Sequence, residues 1–407
     1  MRDIETADSS MSGIFSDRIS DVPRSFIREI LKVTLDQSVI SFAGGLPNRD
    51  LFPVEELKQA AVKVMETHGR DIFQYGNSEG HPGLREMISN RYRETRNLDI
   101  PVEDILITNG SQQGLDLLGK IYVNEGDDLV IEEPGYLGAI QAFSIFRPEF
   151  HPVPVSDDGM DIEKLKSVMT SYRPKLIYTV PNFQNPSGIS YSEENCRQIT
   201  GIIEGTSTLL IEDDPYCELR YSGKSLPSFK TYLPDNAILL GSFSKTVVPG
   251  FRLGWIVARG NIMDKLIIAK QASDLHTNQL VQYIVFQYLQ DNDIDLHIEK
   301  IKKAYGEQLR TMAACIDEYF PAGTLRTHPR GGMFIWAELS GGLSARKLLD
   351  RAMREKVIFV PGDPFYVDRK DTNTMRLNFS CTSEEVIKEG IKRLGNAIEM
   401  VLHDMKD

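Results

Sequence analysis

The sequence predicts an α/β protein, with one large domain holding a mostly parallel sheet between helices and a smaller α+β domain beside it. Three observations carry this reading. From about residue 55 to 300, stretches of helical spacing alternate with short apolar runs. Those runs are continuously apolar, as in strands covered on both faces, rather than alternating as in a sheet with one wet face. Polar residues suited to chemistry cluster just after the runs, and a parallel sheet gathers its ligand-binding groups beyond its strand carboxyl ends.

In chain order, residues 1–22 read as a polar, acidic arm with no apolar signal core. Residues 25–34 (SFIREILKVT) space Phe26, Ile27, Ile30 and Leu31 for a helix. A short apolar strand at 39–42 runs into the turn-rich segment 43–48. The alternating region then places helices at 55–67, 83–94, 111–121, 161–169 and 192–204. Strands are expected at 105–108, 129–132, 176–180, 209–212, 238–240 and 255–258. Residues 280–320 are largely helical. Strands follow within 331–339, 357–362 and 375–380, and a helix closes the chain over 382–404. The expected domains are an arm over 1–22, a large domain over 51–300, and a small α+β domain assembled from 23–50 and 301–407.

A chain of 407 residues can bury a large core. Its net charge of −12 argues against non-specific binding to nucleic acid or acidic membranes, while leaving room for local arginines that hold acidic small molecules. No apolar run approaches the ~18 residues of a membrane span. Cys196, Cys217, Cys315 and Cys381 are scattered with no CxxC spacing, and read as free thiols of a reducing compartment. The histidines are dispersed and no metal site is expected. The expected setting is the cytoplasm, with small-molecule substrates.

Lys245 is the most informative residue. It lies in GSFSKTVVPGFRLGW (241–255), flanked by Ser242 and Ser244 and followed by Arg252. Small, apolar and hydroxylic flanks are not those of a solvated helix lysine. Hydroxyls and an arginine make an anion pocket beside an amine nucleophile. A lysine whose environment lowers its pKa forms Schiff bases with carbonyls. A cofactor that is both aldehyde and phosphate ester needs this combination, which points to pyridoxal 5'-phosphate (PLP).

Four other strand ends add to it. After 105–108, Ser111 opens a helix whose free amides and positive end suit a phosphate, or it is an ordinary cap. After 129–132, Glu133-Pro134-Gly135-Tyr136 offers an aromatic ring to stack on a flat heterocycle, or to fill the core. After 176–180, the rigid loop 181–188 carries Asn185, whose amide can bond a phenolic oxygen or serve a turn. After 209–212, Asp213-Asp214-Pro215-Tyr216 offers a carboxylate for a pyridine nitrogen and a hydroxyl for the phenolic oxygen, or a plain strand-end turn. Taken singly, each has an ordinary structural reading. Together, each at a strand end, they describe one site.

On these segments, and on SFIREILK, ISFAGGLPN, QYGNSEGHPGLRE, TNGSQQGLDLL, PNFQNPSGIS, GGMFIW and MRLNFS, the chain resembles the fold-type I PLP enzymes of the class I/II aminotransferase family over nearly its whole length. Within that family the likeness is to the 2-aminoadipate and kynurenine aminotransferase group. The resemblance implies a sheet of the seven-stranded type and a transaminase. It implies that Lys245 bonds covalently to the cofactor and later moves the substrate proton. Asp213 pairs with the ring nitrogen, with Asp214 as the rival; Tyr136 stacks on the ring; Asn185 and Tyr216 contact the phenolic oxygen. Ser111, Gln112, Ser242, Ser244 and Arg252 hold the phosphate, and Tyr75 reaches the phosphate of the neighbouring subunit, so a homodimer with shared sites is expected. Arg376 grips the substrate α-carboxylate, assisted by Asn185 and Gly45, and Arg28, on a helix covering the site, can meet a distal carboxylate. The expected reaction moves the amino group of an L-amino acid (2-aminoadipate, glutamate, aromatic or branched-chain) to a 2-oxo acid, with 2-oxoglutarate as acceptor, by a ping-pong route. The alternatives are racemase or lyase chemistry on the same fold, or a non-catalytic effector-sensing domain. Against the latter stands the lack of a basic DNA-binding segment before the first helix.

Overall fold

The computed structural model describes residues 15–20, 22 and 38–405. The helix expected at 25–34, with Arg28, lies outside the described residues, as does most of the 1–22 arm. In chain order the first part comprises β1 (Ile40–Ser41), α1 (Val54–His68), α2 (Pro82–Arg96), β2 (Ile105–Thr108), α3 (Ser111–Tyr122), β3 (Asp128–Glu133), α4 (Leu137–Ser144), β4 (Glu149–Ser156) and β5 (Gly159–Met160). It continues with α5 (Ile162–Tyr172), β6 (Leu176–Thr179), α6 (Glu193–Ile203), β7 (Leu209–Asp213), β8 (Ala237–Ser242) and β9 (Gly254–Val257).

Strands β2 to β9 form one eight-stranded sheet, ordered β2-β9-β8-β7-β6-β3-β4-β5. β4, β3, β6, β7 and β8 run parallel. β9 runs antiparallel between β8 and β2, and the two-residue β5 turns back on β4. The sheet is mostly parallel, as expected, but it has eight strands rather than seven because β5 adds itself to the β4 edge. Its continuous apolar runs have a direct cause: every residue of β2, β6 and β8 is buried. Burying Ile238, Leu239 and Leu240 contributes on the order of 5 kcal/mol or more, comparable to the net stability of a domain. The end of β8, which leads through Ser242 to Lys245, is thus firmly anchored.

β4 is an addition to the expected strands. Pro152 and Pro154 read as strand breakers, but β5 covers only Val155 and Ser156. Along 149–154, β4 has a neighbour on one side alone, the kind of edge where proline is tolerated.

The remaining elements are α7 (Asn261–Ser273), α8 (Gln279–Asp291), α9 (Ile294–Tyr319), β10 (Leu325–Arg326), β11 (Phe334–Glu338), α10 (Ala345–Arg354), β12 (Val357–Ile358), β13 (Val360–Pro361), β14 (Thr374–Asn378) and α11 (Glu384–Asp404). β10-β11-β14-β13 form an antiparallel sheet. β1 pairs in parallel with β12, Ile40 opposite Val357, and Phe42 O accepts a bond from the Asn378 amide at 2.9 Å. The segment leading to Gly45 is thereby fastened to the C-terminal elements, beside Arg376 of β14. No helix among the described residues is long and apolar enough to cross a membrane.

Candidate active site

A cavity of about 840 Å³ opens where β2, β3, β6, β7 and β8 end, with Arg376 of β14 on its far wall. Ser111, Gln112, Tyr136, Asn185, Asp213, Tyr216, Ser242, Ser244, Lys245, Arg252, Gly45 and Arg376 all border it. Tyr75 does not: it is 77% exposed, edge-on to His276 at 5.8 Å. Arg28 lies outside the described residues.

Lys245 follows the end of β8, and its Nζ donates to Gly45 O at 2.8 Å. Enclosure by protein, with the fields of Arg376 and Arg252, lowers its pKa to about 8. The amine is therefore partly neutral, hence nucleophilic, near neutral pH. On the same side, Ser242 Oγ accepts the Ser244 amide at 3.1 Å. Arg252 sits in the left-handed region (φ 51°) after the 3₁₀ turn Pro249–Phe251. A Cβ on Gly110 would stand 2.6 Å from Arg252 Nη2, and one on Gly254 would stand 2.8 Å from Ser111 N. Glycine at 254 lets the start of α3 approach so closely, and Gly110 holds a positive φ of 75° that suits glycine. Gly110 also leaves α3 without a side-chain cap, so its first amides and positive end are available to an anion. Gln112 Nε2 is committed to Gly138 O at 2.8 Å, tying α3 to α4.

Asp213, which also borders the cavity, closes β7. Its Oδ2 accepts the Tyr178 hydroxyl at 2.8 Å, and its Oδ1 is buried with no hydrogen-bond partner among the described residues. Burial raises its pKa to about 7; the Tyr178 bond opposes the rise, while Asp214 and Glu132 add to it. An orphaned carboxylate oxygen in a cavity wall calls for a buried donor, and a protonated pyridine nitrogen is such a donor. The rival Asp214 is satisfied elsewhere. Its Oδ2 takes Arg96 Nη1 at 2.5 Å and its Oδ1 takes Asn182 Nδ2 at 3.1 Å, away from this cavity. Tyr136 and Tyr216 are enclosed between these groups. Burial pushes the Tyr136 hydroxyl up to about 12 and raises Tyr216 as well, with Asn185 hydrogen-bonded to the latter.

Arg376 is buried yet meets no carboxylate among the described residues. Its Nη1 donates to Asn185 Oδ1 at 2.8 Å and its Nη2 to Ala43 O at 2.7 Å, while Nε is buried without a partner. The guanidinium lies against the rings of Phe334 (4.5 Å) and Phe365 (5.1 Å). Burial lowers its pKa to about 10. A ligand carboxylate would supply the missing charge in the planar geometry that a guanidinium matches. Sequence reading passed over Tyr178, because a tyrosine within LIYTV is an ordinary strand residue. It also passed over Phe365 and the Glu132 network, whose partners come from separate segments.

A family model for class I and II aminotransferases matches residues 37–394. The chain is 40% identical over 391 residues to aromatic-amino-acid aminotransferase 1 of Thermococcus litoralis, covering 95% of this chain and 94% of that one. The structure of kynurenine aminotransferase from Pyrococcus horikoshii, in complex with PMP, matches with a TM-score of 0.91 at 39% identity, covering 96% of this chain and 98% of that one. The α-aminoadipate aminotransferase of Thermus thermophilus, complexed with N-(5'-phosphopyridoxyl)-L-leucine, gives 0.90 at 37% identity, with 96% and 99% covered.

Proposed function

This chain belongs to the class I and II aminotransferases and is a PLP-dependent transaminase, and on that footing we propose that it moves the amino group of an aromatic or 2-aminoadipate-type L-amino acid to 2-oxoglutarate by a ping-pong route. One observation carries the reading: Lys245, Asp213 and Arg376 border one cavity, and among the described residues each is hydrogen-bonded only to neutral partners.

Ser111, Ser242, Ser244, Arg252 and the first amides of α3, that of Gln112 among them, would hold the phosphate. Asp213 Oδ1 would accept the ring N–H, Tyr136 would cover the ring face, and Asn185 and Tyr216 would meet the phenolic oxygen. When bound, PLP supplies an electron sink for the pair released at the substrate Cα. The chain does the rest. Arg376 takes the α-carboxylate and fixes the direction of the Cα–H bond. Lys245 Nζ, lowered toward neutrality, accepts that proton and later returns it, with Gly45 O as its resting partner. Tyr75, exposed beside the 70% exposed Phe73, supports a homodimer in which it serves the partner's phosphate. Four free cysteines support a cytoplasmic setting.

Borohydride reduction of the PLP-loaded enzyme, followed by peptide mass analysis, is expected to place the label on Lys245. A panel of amino donors with 2-oxoglutarate is expected to yield glutamate, fastest with aromatic or 2-aminoadipate donors. An unlabelled Lys245, or no glutamate from any donor, would refute the proposal.

A further inference from the structure

We infer that Glu132 is a positioning residue, one buried carboxylate that fixes both the loop carrying Asn185 and the loop carrying Tyr136. The inference rests on the reading above for what those two residues do. Glu132 lies one residue before the end of β3, is 1% exposed, and does not border the cavity. Its Oε1 accepts the Val180 amide at 3.0 Å and the Thr179 and Tyr191 hydroxyls at 2.8 and 2.7 Å. Val180 and Tyr191 bracket the loop 181–190. Its Oε2 accepts Gln184 Nε2 at 3.0 Å, one residue before Asn185.

Gln184 passes the constraint on. Its second amide proton goes to Pro134 O at 2.6 Å, two residues before Tyr136. Its Oε1 accepts the Ser187 amide at 2.8 Å and the Ser187 hydroxyl at 2.5 Å, closing the loop just past Asn185. Asn185 in turn holds Arg376. The chain of contacts therefore runs from Glu132 to both the ring side and the carboxylate side of the cavity.

The residue type follows from donor counting. Three donors, and the Thr179 hydroxyl whose one proton is shared with Tyr191 Oη at 2.9 Å, converge on two oxygens, and only a carboxylate accepts on both. An amide there would turn its NH₂ either toward the donors at Oε1 or toward the Gln184 NH₂. Val130 and Ile131 before it are buried and apolar, and the next acid, Glu133, is only half-buried and meets Arg369 at 2.6 Å, so packing alone does not call for a wholly buried acid here.

The test uses the PLP-loaded enzyme and two variants, Glu132→Gln and Gln184→Met. Each is expected to fold and to accept the borohydride label on Lys245. Each is also expected to weaken PLP binding about tenfold, to reduce the visible circular dichroism of the bound cofactor relative to its absorbance, and to lower kcat/KM roughly 10–100-fold. A merely structural residue would shift the melting temperature and leave the cofactor's circular dichroism alone. If Glu132→Gln fails to fold, Gln184→Met decides, since it keeps the carboxylate and removes both donors. Folded, labelled variants with circular dichroism and PLP affinity within twofold of the parent would overturn the inference. A parent enzyme that takes no label on Lys245 would instead sink the proposed function.

Discussion

The two sides of the β7 end treat charge in opposite ways. On one side Asp214 is matched: Arg96 meets it at 2.5 Å, Asn182 adds a bond, and the same guanidinium stands 3.6 Å from Glu212. Burial pulls the Arg96 pKa down, but Asp214, Cys217 and Glu212 carry it well above the ordinary value. On the other side, one residue away, Asp213 is raised to about 7, Lys245 is lowered to about 8 and Arg376 is lowered to about 10. Each is pushed toward its neutral form because no counter-charge among the described residues offsets enclosure. Matched charges hold the fold together. Unmatched ones, on the proposed function, would be seats for the charges that ligands bring, at a cost in stability borne elsewhere.

The largest expected effect breaks the unmatched side outright. Lys245→Ala should lower amino transfer by about 10³-fold or more, abolish the borohydride label and leave the fold intact by far-ultraviolet circular dichroism. Residual turnover within tenfold of the parent would remove the lysine from the chemistry. The neighbouring acids sharpen the contrast next. Asp213→Asn should lower kcat by about 10²-fold with no loss of urea midpoint, since it removes a carboxylate that lacks a protein cation. Asp214→Asn should do the reverse. It strands buried Arg96 and should cost about 3–5 kcal/mol of unfolding free energy, with kcat of the folded fraction within a few-fold of the parent. If the two phenotypes were exchanged, Asp214 would be the functional acid.

A smaller change probes the far wall. Arg376→Lys keeps the charge but loses the planar fork and the simultaneous grip on Asn185 and Ala43. The KM for the amino donor should rise roughly 10–100-fold, with a smaller fall in kcat. An unchanged KM would free Arg376 from the carboxylate role.

Much of this division was legible in sequence, for a physical reason. Strand ends of a parallel sheet lie along one edge, so residues after LLIE, LIYTV and ILLGS can be assigned to one place from their order alone. For the helices it named singly, spacing found most limits within two residues, because caps such as Asp161 and Ser192 mark where they start, but it named none at Leu137–Ser144, Asn261–Ser273 or Ala345–Arg354. Spacing did not show which of two adjacent aspartates faces the cavity, since neighbouring strand residues point to opposite faces and the choice depends on Arg96, far away in α2. Nor could it find Glu132, which sits in an apolar run and takes its role only from Thr179, Val180, Gln184 and Tyr191, brought together by β3–β6 pairing. β4 was hidden by prolines that an open edge tolerates.

The smallest effect concerns pH and the protein without cofactor. Below about pH 8 Lys245 is charged in both folded and unfolded states, and the folded state bears the full cost of enclosing it. Between about 8 and its ordinary value of 10.5, the unfolded chain binds the extra proton, so this group's contribution to stability rises with pH and the penalty disappears. Asp213 runs the other way. Between its ordinary 3.8 and about 7 the folded state holds the extra proton, so stability falls as pH rises, and above 7 the penalty is complete. Both penalties are largest together near pH 7–8. Lys245→Met should therefore raise the urea midpoint of cofactor-free protein at pH 7 and lose that gain by pH 10.5, an effect on the order of 1 kcal/mol. Asp213→Asn should raise it at pH 8 and not at pH 4, whereas Asp214→Asn should lower it at both pH 7 and pH 8. Equal gains at every pH for the first two variants would mean that packing, not an unmatched charge, distinguishes the two sides of the strand.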